Sequence, residues 1–156
     1  MQLLRLVLLA LVLPFAAHAQ DLSSRMTEGH ADSAGVRIHD ATLGNPEDPP
    51  VLMIHGFPDY WYSRRALMAD LARDHFTIAI DQRGYNLSGQ PAGEQNYQLK
   101  YMVGDVAAVL RQLGLASTWQ WVDNRLTVVT LPPVGHFVLR DAPTQVIPLV
   151  RDWLAR

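Results

Sequence analysis

Val51-Leu52-Met53-Ile54-His55-Gly56-Phe57-Pro58-Asp59-Tyr60-Trp61 is the stretch that decides the fold. Its first residues form a short apolar run ending in Ile54, as in a strand buried on both faces. The run then breaks at Gly56 and Pro58 into a turn with a polar and aromatic rim. Gly56 lets the backbone approach another group closely, and Pro58 makes Phe57-Pro58 a candidate cis peptide. A strand ending in a rigid turn is expected at the carboxyl edge of a parallel sheet, where α/β proteins place polar groups.

Downstream, Tyr62 to Arg73 carries Leu67, Met68 and Leu71 at helical spacing, with Ser63 able to cap the start. Phe76 to Ile80 is a second apolar strand that ends in Asp81. Strand, helix and strand at this spacing make a βαβ unit, so the two strands should be parallel and Asp81 should share an edge with His55. Asn86 to Gln98 reads as a loop. Leu99 to Leu113 reads as a helix with Met102, Val106, Val109, Leu110 and Leu113 on one side and Gly114 ending it.

Upstream, Val36 to His39 alternates as an early strand or hairpin before the turn cluster Gly44 to Pro50, whereas Gln20 to Ala34 is polar and reads as a flexible segment. Met1 to Arg5 is a positive n-region, Leu6 to Phe15 an apolar h-region, and Ala17-His18-Ala19 a small-x-small site. That pattern predicts a signal peptide over residues 1–19, cleaved after Ala19, and hence a secreted or periplasmic protein with no membrane association after cleavage. The 156 residues contain no cysteine, which excludes disulfides, thiol catalysis and Cys-ligated metal. A net charge of −2 gives no electrostatic footprint for nucleic acid. His30, His39 and His75 have no metal-ligand spacing, and no metal or other cofactor is expected.

After Leu115 the alternation stops. Ala116 to Arg125 has no buried-strand character, and an apolar strand, Leu126 to Leu131, comes only afterwards. Pro132 to His136 is a turn, and a closing helix runs from about Pro143 to Leu154 with Val146, Leu149, Val150 and Trp153 inward.

Three motifs in this order, each after an apolar strand, resemble the α/β-hydrolase fold: Val51 to Trp61, Asp81-Gln82-Arg83-Gly84-Tyr85-Asn86-Leu87-Ser88, and Gly135-His136-Phe137. Within that fold they look like the epoxide hydrolase branch, whose relatives include haloalkane and fluoroacetate dehalogenases. The resemblance implies an α/β fold with a mostly parallel sheet flanked by helices. It covers a single shortened domain over residues 35–156, in two blocks, 35–115 and 117–156. It further implies a small-molecule substrate of the epoxide, ester or haloalkane class and a two-step mechanism. An aspartate forms an ester, and a histidine then activates the water that hydrolyses it. By the same resemblance His136 is the general base. His55, Gly56, Phe57 and Pro58 form the oxyanion turn with the Phe57 N–H as a donor, Trp61 lies near the substrate, and Asp81 and Arg83 brace the turn structurally. Relatives often carry a second Trp where this chain has Arg64.

A nucleophile elbow needs a small residue two positions before the nucleophile. The residues two after each glycine are Ala31, Arg37, Pro46, Pro58, Asn86, Pro91, Gln95, Val106, Ala116 and Phe137, and none is Ser, Asp or Cys. The nucleophile and the cap domain of the family are therefore expected to be absent, through an internal deletion joining near Leu115–Thr118. Asp105 and Asp123 read as solvated carboxylates, and Ser88 as a hydroxyl without an elbow. The expectation is an epoxide hydrolase-like protein that is inactive as this chain. The alternatives are a weak esterase in which His136 activates water directly, or a non-enzymatic periplasmic binding module using the aromatic rim around Trp61.

Overall fold

A computed structural model of the protein describes residues 22, 24–115 and 136–155. The expected signal peptide, the expected deletion junction near Leu115–Thr118, the expected strand Leu126–Leu131 and the expected turn before His136 lie outside the described residues.

Four strands form one sheet in the order β1-β2-β4-β3: β1 (Thr27–Ser33), β2 (Val36–Leu43), β3 (Pro50–Ile54) and β4 (Phe76–Ile80). β3 and β4 pair in parallel, with Ile54 opposite Ile80, so the βαβ unit forms as its spacing requires. The crossover is a 3-10 turn, Trp61–Arg64, followed by α1 (Arg65–Leu71). Neither is capped by a side chain; the Ser63 hydroxyl bonds Asp59 and the Tyr60 carbonyl instead.

The polar segment expected to be a flexible lead-in contains β1. Its side chains are weakly hydrophobic, but β2 supplies a complete ladder partner from Thr27↔Thr42 to Ser33↔Val36. The hairpin closes through Ala34 and Gly35, both with positive φ (53° and 84°), the conformation of a type I′ turn. Because β1/β2 and β2/β4 are antiparallel, the sheet over the described residues is mixed, and its parallel character is confined to β3/β4.

Alternation along the strands sends two apolar sets to opposite faces. On one face Ala41, Leu43, Met53 and Ala79 meet Trp61, Leu67, Met68 and Leu71. α4 (Pro143–Leu154), which follows the short α3 (Val138–Asp141), lies on this face through Ile147, Val150 and Leu154. Of the expected inward residues Val146, Leu149, Val150 and Trp153, Val150 is among those that pack on this described core, and all four are half-buried. On the other face Ala31, Ile38, Phe76, Ile78 and Ile80 meet Ala108 and Val109 of α2 (Leu99–Gln112). β4 is buried along its whole length. β3 is not: among the described residues it is the sheet edge, and Ile54 is 49% exposed rather than buried on both faces.

Two glycines are demanded by their surroundings. Gly44 has φ +107° and a Cβ there would lie 2.3 Å from the His75 carbonyl oxygen. Gly84 has φ +85° and a Cβ would lie 2.8 Å from the Tyr97 ring.

Candidate active site

The turn after β3 and the segment after β4 leave the sheet at the same edge, and backbone groups join them. The Gln82 N–H donates to His55 Nε2 at 3.0 Å, and Gln82 Nε2 donates to the His55 carbonyl at 2.5 Å. Since His55 Nε2 accepts, its proton sits on Nδ1, which donates to the Gly56 carbonyl at 2.8 Å. Both nitrogens of this buried ring hold the backbone in place. Phe57-Pro58 is cis, and Phe57 is 74% exposed at the tip.

Asp81, fully buried, is the hub beneath the turn. Its Oδ1 accepts the Trp61 N–H at 2.9 Å, fixing the start of the 3-10 turn. Its Oδ2 accepts from His39 Nδ1 at 2.9 Å and from Asn86 Nδ2 at 2.8 Å. The Ser88 hydroxyl donates to the Asp81 carbonyl at 2.6 Å and accepts the His39 N–H at 2.8 Å. Burial pushes the Asp81 carboxyl up, but the bonds from His39, Trp61 and Asn86 outweigh it and hold it below the usual range.

Arg83 turns away from the site to the opposite face. It forms a buried fork with Asp105 of α2, Nε–Oδ2 2.7 Å and Nη2–Oδ1 2.5 Å, and reaches the Asn96 carbonyl at 2.7 Å. The reading of Asp105 as a solvated carboxylate is corrected: it is 1% exposed, because the guanidinium supplies the counter-charge burial requires.

His136 meets the turn. Its Nε2 lies 3.0 Å from the Phe57 carbonyl, across 79 positions of sequence. Beside this contact opens a cleft of about 210 Å³ lined by Gly56, Asp59, Ser63, Arg64 and the run His136 to Arg140. Arg64 is held in its lining: Nη1 donates to Asp59 Oδ2 at 2.9 Å and to Ser63 Oγ at 2.6 Å, and Nη2 reaches the Ile54 carbonyl at 3.4 Å. Burial pushes the Asp59 carboxyl up, but the Tyr60 N–H, Ser63 and Arg64 hold it below the usual range.

Trp61, expected beside the substrate, is not among the described cleft-lining residues; it is 7% exposed and part of the core. An indole at the first position of the crossover falls on the sheet because Asp81 anchors its backbone there. Tyr60 and Tyr62 form the exposed rim, stacked at 6.0 Å. Sequence reasoning missed His39, Gln82, and the Asp59–Arg64 clamp. Asp59, Ser63 and Arg64 were legible as a cluster of polar groups within one short crossover, whereas His39 meets Asp81 only through strand register.

A parallel βαβ core with polar turns at its carboxyl edge and a histidine from the chain's last block defines the class. A family model of the α/β hydrolase fold matches residues 49–122, and the chain belongs to that fold family. Within it the chain is epoxide hydrolase-like. It is 42% identical over 79 residues to epoxide hydrolase 1 of Caenorhabditis elegans, a match covering 51% of this chain and 20% of that one. It is 32% identical over 140 residues to epoxide hydrolase 3 of Xenopus tropicalis, covering 82% of this chain and 35% of that one. The crystal structure of epoxide hydrolase VrEH1 from Vigna radiata superposes with a TM-score of 0.54 at 34% identity, over 58% of this chain and 30% of that one. The chain thus spans between a fifth and about a third of the length of these relatives.

Proposed function

We propose that this protein is an epoxide hydrolase-like α/β hydrolase that retains the oxyanion-turn half of an active site and does not open epoxides as this chain. The reading rests on one contact, His136 Nε2 at 3.0 Å from the Phe57 carbonyl. A ring nitrogen that donates to a carbonyl carries a proton, so it cannot at the same time take one from water. Asp-ester chemistry also needs a carboxylate free to attack the epoxide carbon while the C–O bond breaks. Among the described cleft-lining residues the one carboxylate is Asp59, and its oxygens are taken by the Tyr60 N–H, Ser63 and Arg64. The sequence supplies no nucleophile elbow to replace it.

The test is an assay of the purified protein and its His136→Ala variant with styrene oxide and with p-nitrophenyl acetate. Epoxide hydrolysis at the uncatalysed rate in both is the expected result; epoxide turnover abolished by His136→Ala overturns the proposal. Ester turnover lost in the variant would assign His136 to direct activation of water.

We also propose export through residues 1–19, supported by the n-region, h-region and Ala17-His18-Ala19 pattern. Intact mass of the protein recovered from an exporting host should correspond to a chain starting at Gln20. A mass retaining Met1 to Ala19 would reject it.

A further inference from the structure

The polar cluster beneath the turn is larger than bracing it requires. His39 is completely buried, yet both its ring nitrogens face carboxylates: Nδ1 lies 2.9 Å from Asp81 Oδ2 and Nε2 lies 3.3 Å from Glu28 Oε2. An imidazole can donate from both nitrogens only when it carries its second proton. Glu28 belongs to β1, His39 to β2, and Asp81 follows β4 and holds the Trp61 N–H. The three residues therefore run as one chain of hydrogen bonds from the outer strand to the turn.

We propose that Glu28, His39 and Asp81 form a pH-operated latch in which protonated His39 fastens β1 to the sheet, and loss of its second proton frees Glu28 while the Asp81 bond persists. The asymmetry follows from exposure. Asp81 is fully buried and held by several donors, so the remaining proton stays on Nδ1. Nε2 then turns a lone pair toward the Glu28 carboxylate. Glu28 has a side chain 51% exposed and can swing into water.

The neighbouring groups set the direction of the response. On β1, the His30 ring is 5.1 Å from that of His39, and burial, with Arg37 and His39 nearby, holds its pKa below the ordinary value. On β2, Asp40 adjoins His39; burial raises its carboxyl, and its Oδ1 has no partner among the described residues. The Trp61 ring lies 6.1 Å away, and Asn86 and Ser88 contribute neutral hydrogen bonds. Burial lowers the His39 pKa, but Asp81 and then Glu28 outweigh it, and the net direction is up. A raised histidine contributes stability that is complete below the ordinary histidine range and lost as pH rises through the raised value.

NMR titration of the His39 ring and amide exchange of β1, corrected for the intrinsic rate, test the latch. His39 should titrate above ordinary histidine, and β1 amides should exchange several-fold faster above that midpoint while β4 amides do not change. Glu28→Gln, at an exposed position that tolerates substitution, should lower the midpoint and abolish the step in β1 exchange. A midpoint unchanged in Glu28→Gln, or β1 exchange without a step in the parent protein, overturns the proposal.

Discussion

Arg83 and Asp105 show how one residue pair joins two parts of the fold. Each side chain is at most 3% exposed, and their fork ties the segment after β4 to the middle of α2. A buried pair of this kind stabilises little relative to apolar residues of the same shape, because desolvation offsets the attraction. Removing one partner is different, since it strands a charge in the core. Asp105→Ala is therefore expected to cost about 3–5 kcal/mol in urea unfolding, whereas the double change Arg83→Met with Asp105→Leu should recover most of that loss. An Asp105→Ala protein as stable as its parent would show that the guanidinium finds water. The same physics explains why Asp105 is buried and not solvated. An acidic residue on a helix is usually solvated, and only the arginine from 22 positions away reverses that.

The β1/β2 hairpin is the element whose local chemistry fits least well. A type I′ turn needs positive φ at both central residues; Gly35 supplies this freely, whereas Ala34 at φ 53° carries a Cβ penalty. Asp32 compensates in part by accepting the Gly35 N–H at 3.2 Å. Ala34→Asn should stabilise the protein by about 0.5–1 kcal/mol, because asparagine tolerates the left-handed region better. Thermal unfolding of the two proteins decides it, and a lower Tm for the variant would mean that Ala34 makes an apolar contact worth more than the strain. β1 has no apolar alternation to announce it. It becomes a strand because β2 is buried along Ile38 to Leu43 and offers a full edge to pair with.

Across the whole molecule, the last block of the chain is fastened to the first by Arg151 of α4. Its guanidinium bonds Asp70 near the end of α1 and Asp74 just beyond it, with Nη1–Oδ2 of Asp74 at 2.9 Å. Bonds from Arg151 and then His75 hold the Asp74 carboxyl down at about 2. A depressed carboxylate contributes stability that is present above its unfolded value and lost as pH falls through the folded one. The contribution should therefore disappear between about pH 4 and about pH 2. Exchange of the α4 amides should speed up over that window, and Arg151→Ala should show fast α4 exchange already at neutral pH. Unchanged α4 protection in the variant would assign the docking of α4 to Ile147, Val150 and Leu154 alone.

The amino-acid sequence by itself determined the βαβ unit, the parallel pairing of β3 with β4, the positions of the polar turns and the family. These follow from hydrophobic period, glycine and proline placement, and spacing, which act over a few residues. Only the tertiary structure decided that Trp61 is core, that β3 is an edge over the described residues, that Asp105 is paired, and that His39 lies between two carboxylates. Those outcomes depend on register and on which residue arrives from elsewhere in the chain. His136 belongs to both accounts. Its motif marked it as a site residue, but its Nε2 resting on the Phe57 carbonyl is a product of how α3 and α4 dock against the first block.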